Sequence, residues 1–151
     1  MPRLLIVYHS QGGQTARLAE AALRGAQADA SVETICKRAF DTTIDDLLGC
    51  QGLIIGTPEN FGYMSGAIKD FFDRTYYPAE GKTVGLPYAL FISAGNDGSG
   101  AVREIGRIAT GYGWKLVAEP VIAQKEVGES TIQACEALGE SMATGIGLGI
   151  F

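Results

Sequence analysis

Apolar residues gather in four short runs, at residues 4–8, 52–56, 88–93 and 115–118. The middle two show no polar alternation, which predicts strands covered on both faces of a parallel sheet. A fifth segment, residues 32–36, alternates and suits an edge strand. Between these runs the period changes to that of a helix. Thr15, Leu18, Ala19, Ala22, Leu23 and Ala26 make one amphipathic stripe, and Met64, Ala67, Ile68, Phe71 and Phe72 make another. Thr43 opens a short helix to about Leu48. Ser99 or Gly100 starts a further helix running to about Tyr112, and Ser130 with Gln133 three places on reads as the capping-box start of the last.

Strand and helix thus alternate five times, with no repeat and no linker. That order predicts an α/β fold of three layers, a five-stranded parallel sheet with helices on both faces. The right-handed crossover rule leaves few topologies, and 2-1-3-4-5 is the natural one for five strands. Ligands in such sheets sit beyond the carboxyl ends of the strands, at the switch point between the first and third. The loops after Tyr8, Gly56 and Ser93 lie there.

At 151 residues, 46% hydrophobic and 19% charged, the chain is long enough for one core and short for two, so residues 1–151 are read as a single domain. The net charge of −5 contains no block of like charge. Nothing in it resembles a footprint for nucleic acid or an anionic membrane. Cys36, Cys50 and Cys135 form neither a C-x-x-C pair nor a metal-ligand cluster, and are expected as free buried thiols in a reducing cytosol. The first apolar run is too short for a signal segment, and no stretch approaches the ~20 apolar residues of a membrane span. A cytoplasmic protein is expected.

The first loop reads His9-Ser10-Gln11-Gly12-Gly13-Gln14-Thr15 and enters a helix. Paired glycines let successive amides point inward, while Ser10 and Thr15 add hydroxyls at a helix N-terminus whose dipole favours an anion. That is a seat for a phosphate, although a plain strand-to-helix turn also needs only glycine and a hydroxylated cap. The P-loop pattern is absent, and no lysine or arginine is present to meet a triphosphate. A dinucleotide site would want an acid after the second strand, where Cys36-Lys37-Arg38 stands. No carboxylate ends the first strand as in a receiver domain, and no cysteine nucleophile stands there as in a phosphatase.

The second loop carries Gly56-Thr57-Pro58-Glu59-Asn60-Phe61-Gly62-Tyr63-Met64-Ser65-Gly66, and the third carries Ser93-Ala94-Gly95-Asn96-Asp97-Gly98-Ser99-Gly100. These segments resemble the flavodoxin superfamily, and within it the FMN-binding NAD(P)H:quinone oxidoreductases once called tryptophan-repressor-binding proteins. The pattern G-T-P-x-x-F-G-x-M-S-G-x-x-K-x-F-x-D-R-T is matched from Gly56 to Thr75. The resemblance spans nearly the whole chain and implies a flavodoxin-like fold with FMN as cofactor. Ser10, the amides of Gly12, Gly13 and Gln14, and Thr15 would take the phosphate. Pro58, Glu59, Asn60, Phe61 and Gly62 would line one side of the isoalloxazine. Ser93, Ala94, Gly95, Asn96 and Gly98 would meet its pyrimidine edge and the ribityl region. A flavin ring wants backbone donors and acceptors at one edge and an apolar surface beneath its face, which glycine-rich loops and Phe61 can supply.

Flavodoxins usually cover both faces of the ring and carry a strongly acidic surface. Here the third loop has no aromatic, and the single Trp114 falls at the fifth strand. An open face lets a nicotinamide stack for hydride transfer. The expected activity is an FMN-dependent oxidoreductase passing hydride from NAD(P)H to a quinone or similar acceptor, with no protein acid or base required. The alternative is a flavodoxin-like electron-transfer protein serving a redox partner. The chain also lacks the extra segments by which the quinone reductases build tetramers. His9, Arg74, Arg103, Glu59 and Asp97 are read as packing, solvated or loop-orienting groups. Tyr76 and Tyr77 are candidates to border the pocket. The apolar glycine-rich tail, residues 144–151, is expected to extend the last helix or to form a subunit contact in a homodimer.

Overall fold

In the computed structural model, which describes residues 1–151, the apolar runs become strands β1 (Arg3–Tyr8), β2 (Glu33–Arg38), β3 (Gly52–Pro58) and β4 (Pro87–Ala94). They pair in parallel in the order 2-1-3-4, with β2 at the edge. Leu5, Val7, Leu53, Ile55, Leu90 and Ile92 point to one buried face, and Leu4, Ile6, Ile54, Ala89 and Phe91 to the other. Burial on both sides is why the central strands carry no polar alternation.

Helix α1 (Gln14–Gln27) covers the second of these faces. The first is covered by α2 (Ile44–Leu48), α3 (Gly66–Ala79) and α4 (Ser99–Tyr112). Thr43 caps α2 as expected. Its hydroxyl accepts from Asp46 N–H at 3.2 Å, and the Asp46 carboxylate accepts from Thr43 N–H at 2.8 Å and from Lys37 Nζ at 3.0 Å.

The far edge departs from the sequence reading. The fifth strand is divided into β5 (Lys115–Leu116) and β6 (Val121–Gln124), both paired parallel to β4. Between the Tyr88–Leu116 and Phe91–Val121 pairs β4 advances three residues while the edge advances five. The surplus loops out around Pro120, which has no N–H to give to a ladder and is tolerated only at such an edge.

The last helix, α5 (Glu129–Leu148), joins α1 over its face and takes the tail with it as far as Leu148. It is not started by Ser130. Gly128 is the cap, and Thr131 turns back so that its hydroxyl accepts from Gly128 N–H at 3.2 Å. Helices α1 and α5 touch backbone to backbone: a Cβ on Gly139 would fall 2.0 Å from the Ala22 carbonyl oxygen. Trp114 is buried beside β4, stacked on Tyr112 at 4.2 Å with its indole N–H on Thr83 Oγ1.

Candidate functional site

The loop between β1 and α1 folds around one hydroxyl. Ser10 Oγ accepts from the N–H of Gly13 at 3.1 Å and of Ala16 at 3.2 Å. Gly13 is left-handed (φ 93°), a turn that costs an L-residue about 1 kcal/mol and glycine nothing comparable. The N–H groups of Gln11, Gly12, Gln14 and Thr15 meet no acceptor within the protein, because the helical ladder of α1 begins beyond them. The first turn of α1 carries no acidic residue. Of the amides of Gly12, Gly13 and Gln14 expected to point inward, that of Gly13 is bound to Ser10, and Thr15 N–H is free in its stead. The Thr15 side chain is buried, its hydroxyl 2.7 Å from Ser93 Oγ.

The loop after β3 makes a tight hairpin. Asn60 and Tyr63 exchange both backbone hydrogen bonds, at 2.9 and 3.0 Å. Phe61 (φ 53°) and Gly62 (φ 73°) form its two-residue tip, the positive-φ pair of a type I′ turn. Such turns favour Asn-Gly; a phenylalanine in the first place is strained by about 1–2 kcal/mol. Its ring is nevertheless fully exposed, at 107% of the reference area. An aromatic side chain held out in water on a strained backbone has no folding rationale.

Contacts across the loops hold this hairpin in place. Asn60 Nδ2 donates to Gln11 Oε1 at 3.0 Å, and Glu59 N–H to the Ser93 carbonyl at 2.8 Å. The Glu59 carboxylate accepts from Ala101 N–H in the first turn of α4 at 3.1 Å. Gly62 rests on Gly100, where a Cβ would lie 2.0 Å from the Gly62 carbonyl oxygen. In the third loop Ala94 belongs to the core. Gly98 is buried against Ile122, and Gly95 and Asn96 are exposed.

All four long helices begin at this end of the sheet, and the starts of α1 and α4, which follow the first and third loops, differ in charge. The start of α4 is already met by the Glu59 and Asp97 carboxylates, Asp97 accepting from Ser99 N–H at 3.0 Å and Ser99 Oγ at 2.8 Å. The Ser99 backbone and side-chain hydrogen bonds hold the Asp97 carboxyl below its ordinary range. The start of α1 is met by no carboxylate, so an incoming anion is favoured there and opposed at α4.

A fourth loop, absent from the sequence reading, closes the rim. After β6, Val127 N–H donates to Gln14 Oε1 at 3.1 Å, and Arg17 Nη1 donates to the Val127 carbonyl at 3.2 Å. The signal that could have located it was the short run Val121-Ile122-Ala123, hidden behind Pro120.

Other candidates fall elsewhere. Arg74 is not a solvated charge: its two terminal nitrogens donate to the carbonyls of Thr42 and Ala39, each at 2.8 Å. Tyr76 and Tyr77 lie at the carboxyl end of α3, away from the loops, in a groove with Phe72, Ile108 and Gly111. Arg103 pairs with its neighbour Glu104. All three cysteines are free; Cys50 and Cys135 are buried as expected but Cys36, on the edge strand, is only half-buried, and desolvation pushes Cys36 up to about 11 and Cys50 and Cys135 to about 12.

The sequence matches the family model described as NADPH-dependent FMN reductase over residues 2–123, from the start of the sheet into β6. A protein named flavodoxin from Aquifex aeolicus is 27% identical over 95% of this chain and 86% of its own length. An NAD(P)H dehydrogenase (quinone) from Acidithiobacillus ferrooxidans is 31% identical over 66% of this chain; the match spans 60% of that enzyme. In structure, a flavodoxin from the domain Archaea superposes with a TM-score of 0.82 at 21% identity, covering 95% of this chain and 98% of that one.

Proposed function

From the fact that the chain belongs to the NADPH-dependent FMN reductase family, we propose that it binds FMN across its strand-end loops and passes hydride from NAD(P)H to a quinone or similar acceptor. The observation that carries the reading is the set of four unpartnered amides, of Gln11, Gly12, Gln14 and Thr15, at a helix start free of acid. Orphan donors of this kind want an anion, and the flavin phosphate is the one this family supplies.

Bound FMN would contribute the hydride-accepting and hydride-donating centre. The chain would do the rest. Ser10 shapes the phosphate loop through Gly13 and Ala16, and the free amides hold the phosphate without a side-chain cation. Phe61 offers its exposed face to one side of the ring, braced by Asn60 on Gln11 and by Gly62 on Gly100. Gly95 and Asn96, both exposed, would offer backbone groups to the ring's polar edge. Pro58 and the remaining residues of these loops support that frame. Because the third loop carries no aromatic, the opposite face stays open for a nicotinamide and then an acceptor to stack. This open face favours turnover over the alternative, an electron carrier that docks a redox protein.

No helix is long and apolar enough to cross a membrane. The free thiols support a reducing cytosol as the working compartment. The exposed tail residues Leu148, Ile150 and Phe151 are the surface we assign to a homodimer contact.

The test is a titration of the purified protein with FMN, followed by absorbance, then steady-state oxidation of NADPH in the presence of a quinone. A yellow complex that oxidises NADPH only when quinone is supplied supports the reading. A protein that stays colourless at saturating FMN defeats it, and a yellow one without turnover returns it to the electron-carrier alternative.

A further inference from the structure

Beside the first loop, opposite the hairpin, a cavity of about 220 Å³ opens between Tyr8, His9, Ser10, Ala16, Arg38 and Phe40. None of its aromatic or charged walls has a part in the function argued above. It is smaller than the ~300–1,000 Å³ that whole drug-sized ligands fill, so it suits one ring rather than a complete dinucleotide.

Its walls are flat. Tyr8 and Arg38 are register neighbours on β1 and β2, and the rings of His9 and Phe40 meet edge to face with centroids 6.1 Å apart. Phe40 is 65% exposed, yet its backbone is not free to move. It sits on the single 3-10 turn Ala39–Asp41, which Arg74 clamps through the carbonyls of Ala39 and Thr42. Thr42 Oγ1 closes the turn on the Arg38 carbonyl at 2.8 Å. A rigid, water-exposed aromatic on the rim of a cavity is a stacking surface in search of a ring.

Charge decides what kind of ring. Arg38 Nε and Nη2 each lie 2.8 Å from Asp41 Oδ2, so a carboxylate beside the guanidinium opposes a free anion while the guanidinium plane stays available for stacking. Free phosphate is therefore a poor occupant, and a planar heteroaromatic ring is a good one. Ser10 belongs both to this cavity and to the phosphate loop. A ring tethered through a second phosphate to the flavin phosphate would arrive here.

We propose that the cavity seats the adenine of an adenylate extending from the flavin phosphate, so that the chain accepts FAD as well as FMN. The proposal rests on the phosphate assignment made above. Adenine could also come from the nicotinamide donor, and the two sources separate by experiment.

Dissociation constants of the apo protein for FMN and FAD, measured by calorimetry, make the test, with Phe40→Ala and Arg38→Gln as variants. Wild-type protein is expected to bind FAD within about threefold of FMN or tighter. Each variant should weaken FAD about tenfold, as loss of a base-stacking partner does, and leave FMN within about twofold. FAD binding more than about tenfold weaker than FMN in the wild type overturns the proposal. So does a Phe40→Ala loss shared equally by both flavins, or one confined to the KM for NADPH in the FMN-loaded protein. If wild-type protein fails to bind FMN, the phosphate assignment falls and this proposal with it; failure in the FAD arm alone leaves that assignment standing.

Discussion

At Gly12 a side chain would meet nothing within 4 Å, and the residue's φ is not positive, so substitution there changes chemistry without straining the fold. Gly12→Asp places a carboxylate among the free amides of the first loop. It is expected to reduce FMN affinity at least about tenfold while moving stability by no more than about 0.5 kcal/mol, with Gly12→Ala near neutral on both. Calorimetric titration and a denaturant melt check the two halves. The cysteines give a second prediction at this scale. Burial raises all three thiols, to about 11 for Cys36 and about 12 for Cys50 and Cys135, so the reactive thiolate is scarce near neutral pH. Labelling by a thiol-specific disulfide reagent at pH 7.5 should be slow in the native protein and complete for three thiols in denaturant. Fast labelling of more than the half-buried Cys36 would mean that the core opens readily around Cys50 and Cys135.

Between elements, glycines such as Gly139 and Gly100 hold surfaces at contact distance. Gly139 lets α5 lie on α1, its absent Cβ only 2.0 Å from the Ala22 carbonyl oxygen. Gly139→Ala forces the helices apart and is expected to cost about 1–3 kcal/mol, read as a lower midpoint in urea with FMN affinity preserved. Gly100 does the same for the hairpin, seating Gly62 against the start of α4. Gly100→Ala should push Phe61 out of position and weaken FMN about tenfold, a loss of ~1.4 kcal/mol, although position 100 touches no cofactor in this reading. A variant that binds FMN like wild type would show that the hairpin is not what positions the ring. The Glu59 carboxylate on Ala101 N–H makes the same link from the opposite side, which is why an acid in a flavin loop need not be a catalytic base.

For the molecule as a whole, a ligand bound only by the folded state stabilises it by mass action. FMN at one hundred times its dissociation constant contributes about 2.7 kcal/mol, which for a chain of this size is a rise of about 5–10 °C in melting temperature. Trp114, stacked on Tyr112 away from the loops, is the natural reporter of that melt. No shift at saturating FMN would count against the site.

Much of this architecture was legible from order and period alone, because a strand buried on both faces must be apolar throughout and an amphipathic helix must repeat its stripe. Residues 52–56 and 88–93 declared the sheet, and the glycines and hydroxyls after Tyr8 declared a loop able to hold phosphate. What stayed hidden were contacts between residues far apart in the chain. The divided edge strand shows only against the register of β4, and the Ser130 cap gave way to Gly128 and Thr131 once the end of β6 was fixed. Asp97 already set the start of α4 apart in the sequence, but its second carboxylate, Glu59, reaches it from 42 residues away and shows only in the fold. Local pattern determines which segments are strands and helices because that choice is settled by side chains a few residues apart. Which groups face one another at the rim depends on packing across the whole sheet, and only the tertiary structure decides it.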